Sequence, residues 1–244
     1  MSVKAVILIP ARFESSRFPG KPLSKILGIS MIQRVYENVA QSGFPTYVVT
    51  DDSRIDDHVK SFAGNVLRVD DKVETGSERI YLAYERYLKK DNVDLVVNVQ
   101  GDEPLLKGEE VKRLIQFHHK SSFDMATMVK KRTYPDPQFH NPNVVKAIYS
   151  EVKGQCLYFS RGAIPFDRDQ KNLFDWFQHI GVYSYRTSAL EEFQKLPMSY
   201  YESLEKLEQL RALENGFTIG AVPTTLNLIG VDVPEDISRV ERLL

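Results

Sequence analysis

The chain has 244 residues, 42% hydrophobic and 27% charged, which is enough apolar content for a sizeable core in one large domain or in one domain carrying an inserted lobe. A formal net charge of −1 gives no global basic field, and so argues against a nucleic-acid binder that works by counterion release. The single cysteine, Cys156, excludes an intrachain disulfide framework and a multi-cysteine zinc site, and no apolar run approaches the ~20 residues of a membrane span. A cytoplasmic protein with neither a nucleic-acid nor a membrane partner is expected, with Cys156 as a small buried residue.

In chain order, AVILI (5–9) is a continuous apolar run, as in a strand covered on both faces of a parallel sheet. Residues 31–42 place Ile32, Val35, Tyr36 and Val39 at helical spacing. TYVVT (46–50) and NVLRV (65–69) read as strands. TGSERIYLAYERYL then offers Thr75 and Ser77 as N-caps, with Ile80, Tyr84, Tyr87 and Leu88 on one stripe. DLVVNVQ (94–100) is a strand running into GDEP, and 109–119 is a helix with Val111, Leu114 and Ile115 inward. This β-α-β-α order predicts an α/β domain with a largely parallel sheet, whose ligands bind beyond the carboxyl ends of the strands. Between 124 and 185, DMATMVK, NVVKAIYS, GQCLYFS and HIGVYSY read as strands in hairpin-like order, a mixed or antiparallel extension. Residues 160–178 read as a long functional loop or a lobe at a subunit contact, and 202–214 as one helix with Leu204, Leu207 and Leu210 inward. A turn and a last helix close the chain from GVDVPED onward.

The chemistry concentrates at the strand ends. PARFESSRFPGKP (10–22) follows the first strand with Arg12, Arg17 and Lys21 among two prolines and a glycine. It is not a Walker loop, because Pro22 follows Lys21, and G-x-G-x-x-G is absent from the chain. Arginine forks and a lysine point charge suit phosphate oxygens; the other reading is a solvated basic turn. Asp102 at the next strand end is placed to hold Mg²⁺ against a triphosphate, or else to cap a turn, and Gln100 points toward the same crevice. Asp232 in GVDVPED offers a second metal ligand, whereas Glu235 and Asp236 read as first-turn acids of the last helix. Arg161 and Arg168 form a second cationic pair far along the chain, which suggests a nucleotide and an acidic co-substrate. His179 at a strand start reads either as a structural residue or as part of that second site, and His58, His118, His119 and His140 fit no ligand spacing.

IPARFESSRFPGKPL, TGSERI, VNVQGDEPLL, NPNVVK, LYFSRGAIPFDRD, HIGVYSY, LEKLEQLRALENG and GVDVPEDI together resemble the CMP-Kdo synthetases over nearly the whole chain, in the family's order. These 3-deoxy-manno-octulosonate (Kdo) cytidylyltransferases activate an eight-carbon acid sugar with CTP for lipopolysaccharide assembly. The resemblance implies a Rossmann-like nucleotide-diphospho-sugar transferase fold, a mostly parallel central sheet with a mixed or antiparallel extension. It also implies one cytidylyltransferase domain over 1–244, with a nucleotide-binding half of about 1–120 and a sugar-binding and dimerisation half of about 121–244. A homodimer that depends on Mg²⁺ is expected.

Carried onto this sequence, the resemblance makes Arg12, Lys21 and Asp102 the catalytic set. Arg12, Arg17 and Lys21 would bind the CTP phosphates, and Thr75, Ser77, Arg79 and Gln100 would lie by the nucleotide, with Ser77 and Arg79 selecting cytosine. Asp102 and Asp232 would hold Mg²⁺, while Arg161, Arg168, His179, Tyr183, Glu208 and Gln209 would line the sugar-acid pocket. Lys206 stands where many members carry an apolar residue, and some relatives with related sequences there activate the 8-amino analogue of the sugar. Other readings are a cytidylyltransferase for another acid sugar such as sialic acid, a glycosyltransferase, and a catalytically silent nucleotide-binding protein.

Overall fold

The computed structural model describes residues 3–14 and 18–244. The chain divides into two compact units, residues 1–115 with 227–244 and residues 116–226. The C-terminal segment therefore belongs with the first unit, whereas the sequence reading had left it in the second half.

The first unit begins with β1 (Ala5–Pro10), α1 (Met31–Ala40), β2 (Thr46–Thr50), α2 (Ser53–Ser61), β3 (Val66–Arg68), α3 (Gly76–Ala83) and β4 (Leu95–Asn98). Its strands run parallel in the order β3-β2-β1-β4. The apolar run of β1 is at the centre, where both faces are covered, and Ile7, Leu8 and Ile9 are fully buried. Helix starts follow capping chemistry: the Ser30 hydroxyl accepts from Gln33 N–H, Asp52 from Arg54 N–H and Thr75 from Glu78 N–H. Thr75, not Ser77, is the cap of α3. The sequence reading had no helix over 53–61, because that segment buries only Ile55 and Val59 as apolar side chains; the Asp52 cap was its one local signal. Past Ala83 the backbone widens into a π turn over Tyr84–Leu88, which turns Tyr87 out to solvent, off the stripe expected for it. Helix α4 (Gly108–Lys120) buries Val111, Leu114 and Ile115 as expected.

The second unit contains β5 (Met125–Thr133), β6 (Lys146–Ser150), β7 (Gln155–Ser160), β8 (Asp175–Arg186), α5 (Thr187–Phe193), α6 (Tyr200–Glu205), α7 (Glu208–Glu214) and β9 (Ile219–Thr224). Its strands follow the order β8-β5-β9-β7-β6, and β8 also pairs with β6, so these five close into a ring. Only the β9–β5 pair is parallel. Strand β9 was not read from the sequence because Gly220 and Pro223 interrupt it. The structure explains Gly220: a Cβ there would lie 2.3 Å from the Phe123 ring and 2.9 Å from Phe117, whose rings stack over this point.

The single helix expected at 202–214 is two. A capping box of Ser199 and Glu202 starts α6, and Lys206 in the left-handed region (φ 53°) ends it. The break turns Leu204 outward, 66% exposed, while Leu207 and Leu210 stay buried. Cys156 is fully buried as expected, and burial pushes its thiol up to about 12. The chain ends in α8 (Glu235–Glu241), with Glu235 and Asp236 in its first turn. Among the described residues no helix is long and apolar enough to cross a membrane.

Candidate active site

In the first unit the chain leaves β1 through Ala11, whose N–H donates to Val49 O, and closes a loop where Gly20 N–H donates to Phe13 O at 2.9 Å. Gly20 sits at φ 71°, and a Cβ there would press on the Phe13 ring at 3.3 Å. The Arg54 guanidinium of α2 lies 3.3 Å from the centroid of that ring, so the loop is anchored on Phe13. Arg12 is half-buried just after β1; Arg17 lies outside the described residues.

A short 3₁₀ turn at Lys21–Leu23 then brings Lys21 over a second loop. Its ammonium donates to Asp102 Oδ2 at 2.6 Å and to Val231 O at 3.0 Å, and lies 4.0 Å from Asp232 Oδ1. Two features bring the distant segment here. Val231 is buried in an apolar cluster with Ile26, Met31 and Val240, and its N–H donates to Asp102 O at 2.9 Å. The Asp236 carboxylate accepts from Asp232 and Val233 N–H, fixing the turn that carries Asp232. Burial works against ionisation of Asp236, but these N–H groups and Arg239 hold it below the usual carboxylate range. The structure thus brings Lys21, Asp102 and Asp232 together.

It also brings in Glu103, the second carboxylate of that strand end, which lay outside the expected site residues. Burial first, then the charges of Asp102 and Asp232, push its carboxyl up to about 8 against the opposing pull of Lys21. Among the described residues its buried Oε2 has no hydrogen-bond partner. Its place in QGDEP was visible, but its burial was not, because the wall over it comes from the far end of the chain, where Gly230 lies 3.3 Å from its Oε1 as measured from an ideal Cβ.

The expected cytosine-selecting residues are placed differently from one another. Thr75 spends its hydroxyl on the α3 cap, Ser77 is buried on that first turn, and Gln100 follows β4 with its carbonyl accepting from Glu103 N–H. Arg79 is fully buried; it donates to Val69 O and to Asp51 Oδ2, both at 2.7 Å. Two of its donor nitrogens are therefore held by protein, and Asp51, which the sequence analysis passed over, orients it.

In the second unit His179 and Tyr183 lie four residues apart on β8 with ring centroids 5.3 Å apart, and Phe159 packs edge-on to His179. The Thr127 hydroxyl has one hydrogen to give and lies within reach of the Ile180 and Val182 carbonyls, 3.1 and 2.8 Å away; with that hydrogen on a carbonyl, its oxygen is left to accept from His179 Nε2–H at 3.0 Å. Burial pushes His179 down to about 3, which keeps it neutral, and burial with the nearby Tyr185 and Glu208 raises Tyr183 well above the usual phenol. Gln209 is buried, with no partner for Nε2 among the described residues. The Arg161 guanidinium donates to the carbonyls of Glu205, Pro142 and Lys206. Arg168 is instead exposed on the 161–174 loop, where with Phe166, Lys171 and Phe174 it lines a cavity of about 230 Å³.

Metal fit can be judged on the acidic pair. Asp102 and Asp232 supply two hard oxygen donors around one point, while no cluster of three or more His, Cys, Asp or Glu is present among the described residues. That set does not cage an ion alone, but it suits Mg²⁺, which takes one or two carboxylates and completes its shell with phosphate and water.

A family model described as cytidylyltransferase matches residues 6–219. The chain is 41% identical over 251 residues to a 3-deoxy-manno-octulosonate cytidylyltransferase of Thermodesulfovibrio yellowstonii, covering 98% of this chain and 97% of that one. It is 42% identical over 246 residues to an 8-amino-3,8-dideoxy-manno-octulosonate cytidylyltransferase of Shewanella pealeana, covering 99% of each. Among solved structures, a CMP:2-keto-3-deoxy-manno-octonic acid synthetase complexed with CTP superposes with a TM-score of 0.90 at 34% identity, covering 98% of both chains. With the match running over residues 6–219 and so spanning both units, the chain belongs to the cytidylyltransferase family.

Proposed function

We propose that this enzyme transfers a cytidylyl group from CTP to Kdo, giving CMP-Kdo and pyrophosphate, as a step in lipopolysaccharide assembly in the cytoplasm. The observation that carries the reading is the convergence of Lys21, Asp102 and Asp232 in a chain 41% identical, over 98% of its length, to a named Kdo cytidylyltransferase. The anomeric hydroxyl of the sugar forms a bond to the α-phosphorus of CTP as the bond to the β-phosphate oxygen breaks, and pyrophosphate leaves. No covalent enzyme nucleophile is needed; the work is positioning and charge neutralisation.

Lys21, with Arg12 and Arg17, binds the triphosphate. The Thr75–Arg79 turn and Gln100 lie by the nucleotide, where Ser77 and Arg79 help select cytosine and Asp51 orients Arg79. Asp102 and Asp232 would hold Mg²⁺, which would offset charge on the phosphate oxygens. Arg161, Arg168, His179, Tyr183, Glu208 and Gln209 receive the acid sugar, whose carboxylate needs a cation and whose hydroxyls suit neutral His179, Tyr183 and the Gln209 amide. The fold is read as the Rossmann-like nucleotide-diphospho-sugar transferase type, supported by four parallel strands in one unit and a mixed ring in the other. A homodimer is proposed on the exposed apolar side chains Phe166, Leu173, Tyr200 and Leu204.

The 8-amino analogue is a second reading, favoured by the 42% identity to a named 8-amino enzyme. Pyrophosphate release from CTP and Mg²⁺, with Kdo, its 8-amino analogue and sialic acid side by side, tests both. The expected outcome is turnover with Kdo, and with CTP far above ATP or GTP. Equal turnover with a purine nucleotide, or none with any acid sugar, refutes the proposal.

A further inference from the structure

Lys146 is fully buried at the start of β6, yet its ammonium meets no carboxylate within ion-pair distance among the described residues. It donates instead to three backbone carbonyls: Asn141 O at 3.1 Å, Val144 O at 2.7 Å and Arg161 O at 2.6 Å. A buried ammonium has three N–H groups, and all three are used here. The other end of the Arg161 main chain is held by Glu205. Its Oε2 accepts from Arg161 N–H at 2.6 Å, its Oε1 accepts from the Ser160 hydroxyl at 2.7 Å, and its carbonyl accepts from Arg161 Nε at 2.6 Å.

Four segments meet at this pair. The 141–144 turn is tied by Lys146 and again by Arg161 through Pro142 O. Next to Lys146, Val145 O accepts from His179 N–H at 2.8 Å, which fixes the strand that carries His179. Glu205 and the Lys206 carbonyl set the break that leads directly to Glu208 and Gln209. Three of the five guanidinium N–H groups of Arg161 go to neutral carbonyls, so its orientation is fixed without an ion pair from the guanidinium to a carboxylate among the described residues. A guanidinium held this way is set to receive a carboxylate.

We infer that Lys146 and Glu205 are positioning residues: they clamp the Arg161 peptide from its carbonyl and amide sides and so fix Arg161, His179 and the Glu208–Gln209 turn for the carboxylate-bearing sugar. The clamp's role toward the sugar rests on the cytidylyltransferase reading; the clamp itself does not. Burial lowers Lys146 from its ordinary range, with Glu205 opposing, as a charge held by carbonyls alone would behave.

The test uses the full chain with Lys146→Met, which keeps the stem and removes the donors, and Glu205→Gln, which keeps an acceptor and folds more readily. Both are assayed for the sugar KM and the CTP KM by pyrophosphate release, and for amide hydrogen exchange by mass spectrometry. The expected result is a sugar KM raised about 10- to 100-fold with the CTP KM within about twofold, as for a misplaced binding group. Faster exchange confined to 141–145, 160–162 and 205–209 is expected in both variants. Should Lys146→Met not fold, Glu205→Gln decides alone. Unchanged exchange at 160–162 overturns the clamp whatever the reaction proves to be. Faster local exchange with an unchanged sugar KM, or with both KM values raised together, reduces the pair to fold stability. If the unsubstituted enzyme turns over no acid sugar, the cytidylyltransferase reading fails, while the exchange arm still decides the clamp.

Discussion

Replacing Lys21 by Met should separate two consequences that a merely structural lysine would not show. The ammonium sits 2.6 Å from Asp102 Oδ2 and 4.0 Å from Asp232 Oδ1, where a divalent cation would also be drawn. A unit charge pair at 4 Å is worth about 1 kcal/mol in water and about 4 kcal/mol at an effective dielectric of 20. The three side chains are 19%, 29% and 56% exposed, so solvent screening puts the effect toward the lower end. Removing the competing cation should tighten Mn²⁺ binding by the nucleotide-free enzyme about 10-fold, equivalent to about 1.4 kcal/mol. Turnover should fall by about 10²- to 10³-fold, because a preorganised cation toward the triphosphate is gone. Electron paramagnetic resonance titration of free Mn²⁺ measures the first and pyrophosphate release the second. Unchanged Mn²⁺ affinity would refute the argument about the acidic pair, and near-native turnover would make Lys21 a turn residue only.

Asp102→Asn and Asp232→Asn should each fold, lose most turnover and demand more Mg²⁺, and the double variant should be scarcely worse than the worse single one, because residues serving one function are non-additive; lower melting temperatures with an unchanged Mg²⁺ titration would instead make both residues turn caps. Asp51→Ala frees the buried Arg79 guanidinium, so the preference for CTP over ATP should shrink and the melting temperature should drop; unchanged nucleotide preference would remove Arg79 from base selection. His118 is fully buried, with Nε2 facing Phe123 O and Nδ1 facing Ser184 Oγ, and burial pushes it down to about 4. The unfolded imidazole takes its proton near 6.5, so between about 6.5 and 4 the unfolded state binds more protons and stability falls as pH drops, by up to about 3 kcal/mol. His118→Gln should flatten that part of a urea-unfolding pH series, and an unchanged slope would show that His118 is not the group responsible.

Much of the first unit was legible because its signals are local. The apolar run of β1, the Thr75 cap and the α4 stripe need no knowledge of distant chain. Helix α2 was missed because two buried side chains make too thin a stripe, and β9 because the glycine that admits two phenyl rings also erases the strand pattern. At the site, residue types at strand ends pointed to Lys21 and Asp102, but the placement of Asp232 beside them depends on Val231 entering a core cluster from the far end of the chain. Glu103 and Asp51 escaped for the same reason. Their roles follow from what covers or faces them, and an acid after a strand looks alike in sequence whether it is buried, paired with arginine or solvated.

Two lysines, Lys146 buried and Lys21 half-buried, show how partner chemistry separates a movable charge from a fixed one. Lys146 is fully buried and has only neutral carbonyls; if the ammonium withdrew, the Val144 and Arg161 carbonyls would each lose its short bond, while Asn141 O would keep the Val144 N–H. Three carbonyls from two backbone segments, the 141–144 turn and Arg161, are organised around the geometry of its ammonium. Lys21 faces two carboxylates at partial exposure, and those carboxylates lose little if a divalent cation takes its place. Under the proposed function its ammonium would then be free to meet the phosphates of the nucleotide. A site that must assemble around a triphosphate needs the second kind of lysine, and a pocket that must present a fixed guanidinium to a carboxylate needs the first. Exchanging the environments, with a carboxylate introduced beside Lys146 by Val144→Asp, should therefore weaken sugar binding without affecting nucleotide binding. A variant with both affinities intact would show that the neutrality of the Lys146 cradle is incidental.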